Sequence, residues 1–129
     1  MATLLASIRK PDHLYTIGSP RVGDQALVTA LKGVSHSRFV DCCDVVTRLP
    51  PPDLPLDEFA HFGPPYYIDR NRQLTLNPSE SFMRDDRLQA AAEYVLKYGW
   101  RTGNVAVREL ADHAPINYVT AIAAAPDID

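Results

Sequence analysis

An α/β fold is the class that the sequence predicts, and three observations predict it. Short β-type runs alternate with stretches whose apolar residues recur at helical spacing. Composition is that of an ordinary globular domain: 46% hydrophobic and 22% charged over 129 residues, which excludes a wholly disordered chain and fits one small domain, residues 1–129. Seven of the eleven prolines lie between Pro50 and Pro78, so they mark one irregular region and leave the flanks free to form regular elements. Sixteen acidic against thirteen basic residues leave a net charge of −3, with no basic footprint for nucleic acid. No apolar run approaches the ~20 residues of a membrane-spanning helix.

Met1–Lys10 is apolar first and basic last, the reverse of a secretory signal. It reads as the end of an amphipathic helix whose beginning is missing. Leu14–Ile17 is a dense β-type run, closed by the loop Gly18-Ser-Pro-Arg-Val-Gly23. Asp24 starts a helix with Ala26, Leu27, Ala30 and Leu31 on one face and Gly33 as its stop. Arg38–Cys43 reads as a second strand with Asp44 at its end. Cys42 and Cys43 are adjacent, a spacing that disfavours a disulfide, so both read as reduced, small buried hydrophobes at a strand end. Two thiols side by side are too few for a metal site without histidines in range. Pro50–Pro52 and Pro55 force an extended path. Tyr66–Ile68 and Gln73–Leu76 bracket Asp69–Arg72 as a hairpin. Leu88–Tyr98 is a helix with Leu88, Ala91, Ala92, Val95 and Leu96 as its apolar face. Ala111–Pro115 is a loop, and Ile116–Ala125 is a last helix that Pro115 opens. Only two strands precede the prolines, and a strand as apolar as Leu14–Ile17 expects partners on both edges. The expectation is an incomplete sheet with flanking helices, part of something larger.

Among the four histidines, His13 and His36 read as surface residues, and His61, between aromatics, as packed and hydrogen-bonded. His113 follows an acid and stands on a loop at the mouth of a helix. That position suits a general base, which needs a rigid imidazole and a carboxylate to fix its tautomer; it suits capping or a structural bond as well. Asp44, Asp41, Asp112 and Asp24 are the acids that could orient it. Asp112 is adjacent and expected to point elsewhere or to serve the helix terminus. Asp44 ends a strand, where open α/β sheets carry functional loops, although a solvated turn acid fits the same position. A metal site built from His61, His113, Asp44 and Asp41 has no ligand spacing behind it, and no cofactor motif occurs.

Three segments together, Tyr15-Thr-Ile-Gly-Ser-Pro-Arg-Val-Gly-Asp24, Arg38-Phe-Val-Asp-Cys-Cys-Asp-Val-Val-Thr-Arg-Leu-Pro-Pro51 and Ala111-Asp-His-Ala-Pro-Ile-Asn-Tyr118, resemble consecutive motifs of the class 3 lipases, the fungal-lipase-like α/β-hydrolases. The resemblance covers residues 1–125. It implies a serine hydrolase of lipid esters that needs no cofactor, with Asp44 as the triad acid and His113 as the triad base. The two stand 69 residues apart and keep the chain order acid then base. The family's Gly-x-Ser-x-Gly elbow occurs nowhere in the 129 residues. Ala2–Ala6 resembles the helix just after that elbow, so the chain is expected to be the C-terminal part of an α/β-hydrolase fold, beginning a few residues past the nucleophile. Ser19 falls in the loop after the next strand and, like Ser7, is not expected to replace it. One oxyanion donor follows the nucleophile and the other comes from an earlier loop. Both would precede Met1, and the chain by itself is expected to hydrolyse no ester. The alternative is a non-catalytic fragment that binds lipid or pairs with a complementary N-terminal chain.

Overall fold

The computed structural model describes residues 1–51, 59–98 and 112–126. Pro52 and Pro55 of the proline-rich stretch, and Ala111 of the loop before the last helix, lie outside the described residues. In chain order the elements are α1 (Ala2–Ile8), β1 (His13–Ile17), α2 (Gln25–Ala30), β2 (Ser35–Asp41), a 3-10 turn (Val46–Arg48), β3 (Pro65–Ile68), β4 (Leu74–Leu76), α3 (Glu80–Tyr98) and α4 (Pro115–Ala124).

The strands form one sheet in the order β1-β2-β3-β4, the first three parallel and β4 antiparallel to β3. This is a mixed α/β architecture with helices against both faces. Strand alternation sorts the side chains. Leu14, His36, Arg38, Val40 and Tyr67 share one face, and Phe39, Asp41, Tyr66 and Ile68 the other. On the first face α1 and α2 bring Ala6 and Leu31 onto Leu14 and Val34, and α3 brings Ala90 and Met83 onto Val40 and Tyr67. On the second face α4 seats Tyr118 and Ala121 on Phe39 and Ile68. Among the described residues β1 pairs with β2 alone and ends the sheet. No helix among them is long and apolar enough to cross a membrane.

Several expectations match the elements found. Asp24 caps α2 by accepting the Leu27 N–H at 2.8 Å. Pro115 occupies the first turn of α4. The hairpin forms with Tyr66 opposite Leu76, and Asp69 Oδ1 accepts the Asn71 and Gln73 N–H groups at 2.8 Å inside its turn. Cys42 and Cys43 are buried and not joined in a disulfide.

Three expectations need correction. β2 runs from Ser35 to Asp41, so the cysteines leave the strand: Asp44 N–H turns back to Asp41 O at 3.2 Å and closes a tight turn over Cys42 and Cys43. α3 starts at Glu80, eight residues before Leu88, because Ser79 caps it, its Oγ accepting the Phe82 N–H at 3.2 Å. The face that α3 buries is also different. Leu88, Val95 and Leu96 are 65%, 62% and 74% exposed, while Asp86 and Ala90 are buried. The reason is a polar anchor. Asp86 Oδ2 accepts the Tyr67 hydroxyl at 3.0 Å and the Arg70 N–H at 3.2 Å, which turns the Asp86–Ala90 side of the helix toward the sheet.

Candidate active site

The turn after β2 and the start of α4 meet at Asp44 and His113. Asp44 is 1% exposed. Its Oδ1 accepts the Val46 N–H at 2.9 Å, and its carbonyl accepts the Thr47 hydroxyl at 2.8 Å. Its Oδ2 lies 2.9 Å from His113 Nδ1. A carboxylate only accepts, so Nδ1 carries the proton and Nε2 keeps its lone pair. Oδ2 also accepts the hydroxyl of Tyr118, one turn into α4. Burial first, and the bond to Asp44 next, hold the Tyr118 phenol far above the ordinary tyrosine value, so it remains a donor. The same hydroxyl accepts the Asp41 N–H at 3.1 Å and ties the turn to α4.

Gly18 makes room for the pair. Its φ is +59°, and a Cβ there would stand 3.0 Å from Asp44 Oδ2 and 3.2 Å from His113 Nδ1. Any side chain would crowd the contact and strain the backbone. The imidazole is 45% exposed and borders a cleft of about 440 Å³ with Met1–Thr3, Tyr15–Pro20 and Val46. The start of α1 and the His113 ring therefore face one open space. A larger cavity of about 570 Å³, lined by Arg21, Arg38, Arg48 and His61 among others, includes neither Asp44 nor His113.

The other candidates are engaged elsewhere. Asp41 is fully buried and pairs through Oδ2 with Arg72 Nη1 at 2.6 Å. Asp24 is the α2 cap. Asp112 is buried, with a carboxylate oxygen within 4.8 Å of both cysteine sulfurs. His61 Nε2 donates to Thr47 O at 2.8 Å, as a packed histidine should. Its pKa falls to about 4, first through burial and then through the charge of Arg38. His13 is exposed, as expected, but His36 is not a surface residue: it is half-buried on β2, bonded to Thr16 Oγ1 and Phe62 O at 2.8 Å each. Its pKa is lowered chiefly by that burial. Ser19 Oγ bonds Pro20 O at 3.2 Å and Ser7 Oγ bonds Leu4 O at 2.7 Å; neither hydroxyl reaches His113. His61, His113, Asp44 and Asp41 are spread over separate bonds and form no metal cluster among the described residues.

Tyr118 and Gly18 are the contributors that sequence reasoning passed over. Tyr118 stands five residues past His113, on a helix whose start Pro115 announces, and that spacing is the signal available in the sequence. Gly18 looks like any loop glycine until the fold brings Asp44 and His113 beside it.

Residues 1–54 match the family model described as lipase (class 3). Over this segment the chain is similar to the class 3 lipases. The match takes in the Gly18 loop and Asp44 and stops before His113. No curated protein and no solved structure matches the chain. The tie to this lipase family suggests a lipid ester hydrolase as the class of activity and a lipid as the class of substrate.

Proposed function

We propose that residues 1–129 are the C-terminal portion of a class 3 lipase-like domain, and that Asp44 and His113 are the acid and base of its lipid ester hydrolase site. The observation that carries this reading is the 2.9 Å bond between His113 Nδ1 and a buried Asp44 whose remaining bonds hold it still. With the proton fixed on Nδ1, Nε2 is free to take a proton from an attacking hydroxyl. Asp44 stabilises the imidazolium that results. His113 then returns the proton to the leaving alcohol, and a water activated the same way releases the acid. The hydroxyl and the oxyanion donors come from outside the 129 residues, and the cleft at the start of α1 is where they enter.

The test uses a p-nitrophenyl ester and three samples. The chain alone gives no turnover above background. The chain joined to the front half of a class 3 lipase domain, carrying Gly-x-Ser-x-Gly, gains activity. Asp44→Asn or His113→Ala in that joined protein lowers turnover by about 10⁴-fold. Robust hydrolysis by the chain alone, or a joined enzyme indifferent to His113→Ala, overturns the proposal. A second reading, a non-catalytic chain that binds lipid or a complementary chain, draws on the open edge of β1 and on exposed Leu4, Leu5 and Ile8 of α1. It predicts tight pairing with the front half, or binding to lipid vesicles, and no regained activity.

A further inference from the structure

Two adjacent thiols alone make a poor metal site, but the fold adds a third donor. Cys42 Sγ and Cys43 Sγ lie 3.3 Å apart, and a carboxylate oxygen of Asp112 joins them in a set whose atoms all lie within 4.8 Å of one another. The three residues are 1%, 4% and 8% exposed. In an extended strand, neighbouring side chains point to opposite faces. The turn that ends β2 at Asp41 brings both sulfurs together, and the chain entering α4 delivers Asp112 to them.

The geometry points to a binding site for one thiophilic divalent cation of the Zn²⁺ class, held by Cys42, Cys43 and Asp112. Thiolate sulfur and carboxylate oxygen are ligands that Zn²⁺ accepts, and three protein donors leave the fourth tetrahedral position to water. Hard cations such as Mg²⁺ prefer oxygen throughout and are disfavoured by the sulfurs. At Zn–S bonds of ~2.3 Å, two sulfurs on a tetrahedron stand ~3.8 Å apart, so these need part by only about half an ångström. Each thiol gives up its proton as its bond to the metal forms, so two protons leave for each cation bound and no oxidant is required. The ligands then carry three negative charges against two positive. Arg87, whose Nε donates to Cys42 O at 3.0 Å, brings a compensating cation to the rim.

The position gives the site a purpose. Cys43 directly precedes Asp44, and Asp112 directly precedes His113. A cation here ties the turn carrying the carboxylate to the loop carrying the imidazole, a cross-link across 69 positions of sequence. It is a staple beside the pair, and it stands whether or not the pair is catalytic.

Co²⁺ is the probe, titrated into the 129-residue chain with a phosphine reductant at neutral pH. One equivalent is expected to produce a thiolate-to-cobalt charge-transfer band and the visible bands of tetrahedral Co²⁺, and Zn²⁺ is expected to displace it. Cys42→Ser and Cys43→Ser each remove the charge-transfer band or weaken binding at least tenfold. Asp112→Asn also weakens binding at least tenfold, which two neighbouring thiols in an unfolded chain would not reproduce. No band with the wild-type chain, or equal affinity in Asp112→Asn, overturns the site. Should the variants fail to fold by circular dichroism, the wild-type chain decides. Zn²⁺ at micromolar excess raises its melting temperature and Mg²⁺ does not; no rise with Zn²⁺ overturns the proposal.

Discussion

Tyr118 holds Asp44 from one side while His113 meets it from the other. Its hydroxyl donates to the carboxylate and accepts the Asp41 N–H, so one side chain satisfies two buried groups. Tyr118→Phe keeps the ring packed on Phe39 and Ile68 and leaves both groups short of a partner. Hydrogen bonds to charged groups contribute about 1.5–3 kcal/mol each, and the expected loss of stability lies in that range. A urea unfolding curve checks it, and an unchanged midpoint contradicts the role. His61 makes a prediction in pH. Its folded pKa is about 4, below the ordinary histidine value of 6.5. Between those values the unfolded chain binds more protons than the folded one, so stability is full above pH ~6.5 and falls as the pH drops toward ~4. His61→Gln, whose amide can still reach Thr47 O, is expected to flatten the pH dependence of the urea midpoint across that window. An equally steep dependence in the variant assigns the slope to other groups.

At the scale of elements, α3 is where pattern and packing part. Helical spacing selects Leu88, Ala91, Ala92, Val95 and Leu96, yet the sheet receives Met83, Asp86 and Ala90. Periodicity reports which residues share a face. It does not report which face wins when a buried carboxylate bonds Tyr67 and Arg70 across the interface. Two substitutions separate the alternatives by thermal or urea unfolding. Leu96→Gln is expected to change stability by no more than about 0.5 kcal/mol. Ala90→Leu forces extra carbons between α3 and Tyr67 and is expected to cost about 1–3 kcal/mol. The reverse order restores the face that spacing predicts. α2 and α4, by contrast, were legible from Asp24, Gly33 and Pro115, since caps and stops are local chemistry. β2 was legible as a strand but not in its end, because the turn over Cys42 and Cys43 depends on the Cys42 N–H reaching Ile68 O at 2.9 Å on β3.

For the whole molecule, the open side of β1 is the dominant feature. Among the described residues its backbone has a partner on one edge, and Tyr15 and Ile17 are 66% and 53% exposed. On α1, Leu4, Leu5 and Ile8 are exposed as well. An unprotected edge next to apolar side chains is a template for another chain. The 129-residue chain is therefore expected to self-associate with rising concentration, and Ile17→Lys is expected to reduce this by setting a charge beside the edge. Sedimentation velocity across a concentration series reads both; a wild-type chain that stays monomeric throughout contradicts the expectation.

The sequence by itself determined the α/β class, the order of strands and helices, the reduced cysteines, and Asp44 and His113 as residues of interest. Those follow from local signals: alternation, helical spacing, caps, turn residues and short motifs. The tertiary structure decided the rest. It chose Asp44 over Asp41 and Asp112 as the partner of His113, made Tyr118 its second donor, required Gly18 to lack a side chain, and gathered Cys42, Cys43 and Asp112. Each of these is a contact between segments tens of residues apart, and its free energy exists only once the sheet and α4 have brought the groups to within hydrogen-bonding or van der Waals distance.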